Sequence, residues 1–134
     1  MEVIANKVSK IDTCEELYKE LAGHNCTEHY YYLPYHSPRI KYTDGVKAMA
    51  KKAEAYWLLD VIQSFFKRIL MDERLRDFAL IRFESNLDGT GTLTIREDTY
   101  CPPIFVHHFS YTSFPIGRFE MFLELGVLLL KSEH

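Results

Sequence analysis

Between residues 55 and 72 the apolar side chains Trp57, Leu58, Val61, Ile62, Phe65 and Ile69 recur at intervals of three and four, while Lys67, Arg68 and Asp72 fall on the opposite side. That spacing predicts an amphipathic helix laying a wide apolar face on a larger body. It is the strongest periodic signal in the chain. Ahead of it, Thr43 or Asp44 can cap a helix entrance, and Val46, Met49, Ala50 and Ala53 follow at helical spacing. No Gly or Pro divides the two stretches near Glu54, so one bent helix and two separate helices both fit. A shorter helix opens at Thr13 and Glu16, which form a T-x-x-E capping box. Leu17, Tyr18 and Leu21 share its face, and Gly23 is expected to supply a left-handed stop.

After Asp72 the period falls to two. Ala79, Ile81 and Phe83 alternate with Arg82 and Glu84, and Leu93 and Ile95 alternate with Thr92, Thr94 and Arg96. Phe105, His107, Phe109 and Tyr111 alternate with Ile104, Val106, His108 and Ser110. Asp88-Gly89 marks a turn and Pro102-Pro103 a break, so these runs predict a three-stranded antiparallel meander. Ser113 and Pro115 then suit a helix start, with Ile116, Phe119, Phe122 and Leu123 as its stripe and Gly126 as its end. Val127-Leu128-Leu129-Leu130 reads as a short buried strand, and His29-Tyr30-Tyr31-Tyr32-Leu33 as another, followed by irregular chain around Pro34 and Pro38. The expected fold is α+β, a single globular domain over residues 1–134. It has an antiparallel sheet of about four to five strands and three to four helices packed mainly on one face.

Composition narrows the class. A chain of 134 residues buries enough surface to hold one core without staples. Its 14% aromatic content argues against disorder, and its net charge of −3 argues mildly against a nucleic-acid module. Cys14, Cys26 and Cys101 make a poor disulfide framework. With no secretory leader and no apolar run long enough to cross a bilayer, the expectation is a cytoplasmic protein with reduced thiols and no membrane association.

Several residue groups carry potential chemistry. His24, Cys26, His29 and His36 are suitable zinc ligands, but their spacing matches no structural zinc motif, so they are weak metal candidates and no cofactor is expected. Asp60 sits among apolar neighbours towards the edge of the buried arc. Such a carboxylate is either structural, capping a loop or pairing with an Arg such as Arg82 or Arg96, or a catalytic or ligand-binding candidate in a cleft with Asp44 and His108. His107 and His108 point to opposite sides of a strand and cannot chelate one ion together. Tyr30, Tyr31, Tyr32, Tyr35, Arg39 and Lys41 interleave rings and cations, a composition suited to a protein contact or to stacking on single-stranded nucleic acid. Nucleophile elbows, phosphate loops and dinucleotide fingerprints are absent from the sequence.

Four segments taken together resemble a known family. They are Tyr42-Thr43-Asp44-Gly45-Val46, Ala55-Tyr56-Trp57-Leu58-Leu59-Asp60, Tyr111-Thr112-Ser113-Phe114-Pro115, and Gly126-Val127-Leu128-Leu129-Leu130 followed by Ser132-Glu133. In this order they are similar to a bacterial family of small proteins described only as a domain of unknown function, from about Thr27 to the C-terminus. The chain departs from the family pattern at Glu54, Ser113 and Lys131. The resemblance implies a bacterial, phage or mobile-element source and no catalytic assignment. It gives weight to Thr43, Asp44, Trp57, Asp60 and Tyr111 as fold-defining positions. The preferred functional expectation is a non-enzymatic interaction protein that meets a protein partner, or a second copy of itself, through the aromatic surface. An unpaired edge left by the final strand or the meander invites a two-fold dimer. The alternatives are a ligand binder or enzyme built on Asp60, Asp44 and a histidine, and a single-stranded nucleic-acid binder.

Overall fold

The computed structural model describes residues 11–34 and 37–134. The helices are α1 (Cys14–Glu20), α2 (Asp44–Lys52) and α3 (Tyr56–Leu70). The strands are β1 (Tyr30–Tyr32), β2 (Lys41–Thr43), β3 (Phe78–Ser85), β4 (Gly91–Arg96), β5 (Pro103–Phe109), β6 (Gly117–Glu124) and β7 (Val127–Leu130), followed by a 3-10 turn at Lys131–Glu133. The fold is α+β. The sheet, however, has seven strands rather than four or five, in the order β1-β2-β7-β6-β3-β4-β5. It is mixed rather than purely antiparallel, because β2 runs parallel to β7. β2 was too short to be read from periodicity.

The expected meander is present: β3 pairs β4 and β4 pairs β5, both antiparallel. The expected C-terminal helix is not. Residues 117–124 form β6, which pairs along its whole length with β3. Phe119, Met121 and Leu123 are buried on one side, with Arg118, Phe122 and Glu124 on the other, so this segment also satisfies a period of two. Leu125 (φ 50°) and Gly126 (φ 83°) make the tight connection to β7, so Gly126 ends a strand and not a helix. Two successive positive φ values match the handedness of a two-residue hairpin. β7 therefore lies inside the sheet, and β1 and β5 are its edges.

The stretch around Glu54 breaks into two helices. Glu54 takes φ 53°, a conformation that ends α2 before α3 begins at Tyr56. Gly23 does not provide the stop for α1. That helix ends at Leu21, in an ordinary negative-φ conformation. The capping box at Thr13 and Glu16 forms as expected.

α3 buries Leu58, Leu59, Ile62, Phe65, Phe66 and Ile69 against the sheet. At 100° per residue the centre of this arc lies near Ile62, and Asp60 stands about 160° away from it. Asp60 is therefore exposed, not at the edge of the buried arc, and Arg82 pairs with Glu120 instead. Trp57 lies edge-on to Phe83, Phe109 and Phe114 at ring-centre distances of 5.8, 5.5 and 6.4 Å. Such edge-to-face contacts add to the area that the rings bury. Replacing Phe83, which is fully buried at this cluster, with Ala should cost about 3–5 kcal/mol in urea denaturation. Asp60→Ala should change stability by less than about 0.5 kcal/mol in the same measurement.

Candidate functional site

The helix entrance at Thr43 organises one end of the sheet. Thr43 caps α2 by accepting from the Val46 backbone N–H. Asp44 reaches back: its Oδ2 accepts from the N–H groups of Glu28 (2.9 Å) and His29 (3.3 Å), and its Oδ1 accepts from the Tyr31 hydroxyl (2.8 Å). These donors, led by the Glu28 N–H, hold the carboxyl down to about 2. From the far end of the chain, Glu133 accepts from the Thr43 hydroxyl (2.6 Å), the Gly45 N–H (3.0 Å) and the Leu130 N–H (2.9 Å). A Cβ on Gly45 would stand 2.7 Å from the Glu133 carboxylate, so a side chain there would push the clamp away. Two of the four motif segments thus meet across about ninety residues of chain.

This anchoring fixes β1 and β2. Along β1 the side chains alternate. Tyr31 turns inward against Tyr42 (5.6 Å between rings) with Lys47 over its face (4.2 Å). Tyr30 and Tyr32 are 56% and 47% exposed. Arg39 lies over the Tyr32 ring at 4.5 Å. The chain just before β2 is held to α3 by Gln63, whose amide accepts from the Ile40 N–H and donates to the Pro38 carbonyl, both at 2.9 Å.

Beside Tyr32 runs an open groove of about 560 Å³. Arg39, Lys41 and Arg76 supply three cations to its walls, against the one carboxylate of Asp77. Phe66, Leu70 and Leu125 supply apolar surface. Three of the tyrosine-segment residues singled out from sequence, Tyr32, Arg39 and Lys41, therefore share one concave surface. Tyr30 lies on the adjoining strand edge, Tyr31 is structural, and Tyr35 lies outside the described residues. The sequence reading missed Gln63, Arg76 and Leu125. Their roles arise from three separate elements, and no local pattern joins them.

The other candidates do not converge. Asp60 is on the outer side of α3. His107 packs against Phe65 of α3, so His108 faces the opposite side of the sheet, where its Nδ1 lies 3.2 Å from the Thr92 hydroxyl. Asp44, at the start of α2, is five strand spacings from β5, about 24 Å. His24, Cys26 and His29 form no three-ligand cluster among the described residues, and His36 lies outside them. His29 stands near Asp44, at 3.6 Å. Burial pushes the Cys14 thiol up to about 12, which keeps it a neutral thiol.

Two consequences can be measured. The Asp44 carboxyl titrates lower in the folded chain than the usual 3.9 or so of an unfolded one. Its contribution is therefore present above about pH 4 and is lost as pH falls from about 4 towards 2. The fall in denaturation midpoint across that window should be shallower in Asp44→Asn than in the parent chain. Glu133→Ala should lower stability by about 1–2 kcal/mol by unfastening Thr43 and Gly45, again read by denaturation.

No curated protein and no solved structure matches the chain. Residues 15–134 match the sequence profile of a family of unknown function, DUF6876, and these residues include the Thr43–Asp44–Gly45 corner, the Glu133 clamp and the groove. The chain belongs to that family.

Proposed function

We propose that this protein is a non-enzymatic interaction module and that the groove beside Tyr32 receives an acidic segment of a protein partner. The observation that carries this reading is the excess of cations, Arg39, Lys41 and Arg76 against Asp77, around an apolar floor at the edge of the sheet. Exposed Tyr and Arg are the residue types that dominate binding energy at protein contacts. Charge complementarity at such a rim speeds encounter and selects partners. Single-stranded nucleic acid carries the same sign of charge. One ring face of Tyr32 is already taken by Arg39, however, and Tyr31 is held inward by Asp44 and Lys47, which leaves a poor stacking platform.

Selection of a random peptide library on the full chain should return sequences rich in Asp or Glu around an apolar residue. Their affinity should fall tenfold or more in the Arg39→Glu, Lys41→Glu double variant and weaken with added salt. Peptides without acidic bias, or peptides indifferent to the double variant, would reject the reading. Oligo-dT that bound more tightly than any selected peptide would favour nucleic acid instead.

Self-association is a second reading, favoured by β5. This edge strand of seven residues pairs, among the described residues, only with β4 and carries no Lys, Arg, Asp or Glu. Strand addition about a two-fold axis would cover it. Sedimentation velocity at micromolar concentration should then show a dimer that a Val106→Pro substitution on the free edge of β5 dissociates.

A further inference from the structure

β7 ends opposite Met121, so the first half of β6 has a strand neighbour on one side only. On the free side stands α1. The Glu120 N–H donates to the Tyr18 hydroxyl (2.8 Å), and the Tyr18 ring stacks on Phe119 (4.8 Å). Burial pushes the Tyr18 phenol up to about 12, so it remains protonated. Between α1 and the chain leaving β7 lies a cleft of about 500 Å³. Tyr18, Leu21, Ala22 and Leu130 give it apolar walls, and Arg118, Glu120 and Lys131 give it charged groups.

The charges here do not balance. Both oxygens of Glu120 are occupied, one by Arg82 Nε (2.6 Å) and the other by Lys131 Nζ (2.9 Å). Burial alone would raise the Glu120 carboxyl, but the hydrogen bonds from Lys131 and Arg82 outweigh it and hold the group ionised. Arg118 is bound to Glu84 (3.0 Å). Arg96 lies within the field of Arg82 and Arg118. Its Nε is buried without a hydrogen-bond partner among the described residues. Four cations, Arg82, Arg96, Arg118 and Lys131, thus surround the two carboxylates Glu84 and Glu120. Glu124, farther along β6, lies 3.2 Å from the His134 ring and outside this group. A partly buried positive excess is costly in any protein, and more telling in one whose net charge is −3.

We propose that this cleft binds a small amphipathic carboxylate, with its anionic head between Lys131 and Arg118 and its apolar body along Tyr18, Leu21, Ala22 and Leu130. The Lys131 ammonium has three donors and gives one to Glu120. Arg118 uses Nε and one terminal nitrogen on Glu84 and keeps further donors. Charge-assisted hydrogen bonds from both, beside an apolar wall, favour an anion over a cation or a neutral molecule of the same shape.

The test is calorimetric titration of the full chain with octanoate and with 3-phenylpropanoate, using octylamine as the charge control. At least one carboxylate should bind saturably with a Kd below about 1 mM. Octylamine should bind at least tenfold more weakly. Ala22→Trp, which fills the cleft, should abolish carboxylate binding, and Lys131→Met should weaken it about tenfold or more. If Lys131→Met unfolds, Arg118→Gln replaces it, because that side chain is exposed. Lys41→Glu, in the other groove, should leave the titration unchanged, which separates this site from the peptide groove. Absence of saturable binding for both carboxylates, equal affinity for octylamine, or full binding by the folded Ala22→Trp variant would overturn the proposal.

Discussion

The contact between the apolar arc of α3 and one face of the sheet is the constraint on which the other features rest. Leu58, Ile62, Phe65 and Ile69 lie against β3, β4 and β6 residues that are themselves almost fully buried, among them Ile81, Phe83, Leu93 and Met121. Each large side chain so placed contributes roughly 1.5–3 kcal/mol relative to water. Trp57 closes the end of this layer, where it meets Phe83, Phe109 and Phe114. A single layer of helices covers one face only. On the opposite face Glu120, Arg82 and Thr94 stand side by side across β6, β3 and β4, with Lys131 of the turn after β7 beside them, next to the apolar row Leu80, Phe122 and Leu129.

That division of labour sets where chemistry can sit. The helix-covered face is closed by aromatic packing. Openings occur where an element stops short. β7 has four residues and leaves half of β6 without a strand on that side, and α1 approaches the gap without sealing it. β1 and β2 have three residues each, and Gln63 of α3 holds the chain at Pro38 and Ile40 just before β2. The two hollows have different characters. The groove beside Tyr32 is lined by surface cations that form no salt bridge among the described residues. The cleft beside Tyr18 is backed by ion pairs whose partners are already satisfied, so its excess charge is held in place rather than mobile.

The end of the chain locks this arrangement. Glu133 joins the start of α2 to the end of β7, and Asp44 joins the same helix start to the chain entering β1. Both carboxylates work as structural acceptors. Their oxygens take backbone and hydroxyl donors that would otherwise be left at a crowded corner, where an unpaired donor is expensive. The Thr-Asp-Gly and Ser-Glu segments therefore make sense as one device. Thr43 caps, Asp44 reaches backward, Gly45 leaves room, and Glu133 closes over the gap.

Local periodicity determined a good part of this fold. The α3 stripe, the α1 capping box, the Thr43 entrance, the β3-β4-β5 meander and the β7 strand were all legible, because each is encoded by side chains within a few residues of one another. The aromatic segment was legible as a surface, since Tyr30, Tyr32, Arg39 and Lys41 are near neighbours in sequence. Tertiary structure alone decided the rest. Residues 117–124 satisfy both a helical and an alternating pattern. Pairing with β3 along the whole segment and with β7 over residues 121–124 selected the strand, because a backbone beside paired strands fills its hydrogen bonds only when extended. Asp60 turned outward because the arc of α3 is centred on Ile62, and a rotation of a few tens of degrees is set by packing, not by composition. The cleft between α1 and β6 and the clamp from Glu133 bring together residues about ninety to a hundred positions apart. Only the order in which seven strands assemble could place them side by side.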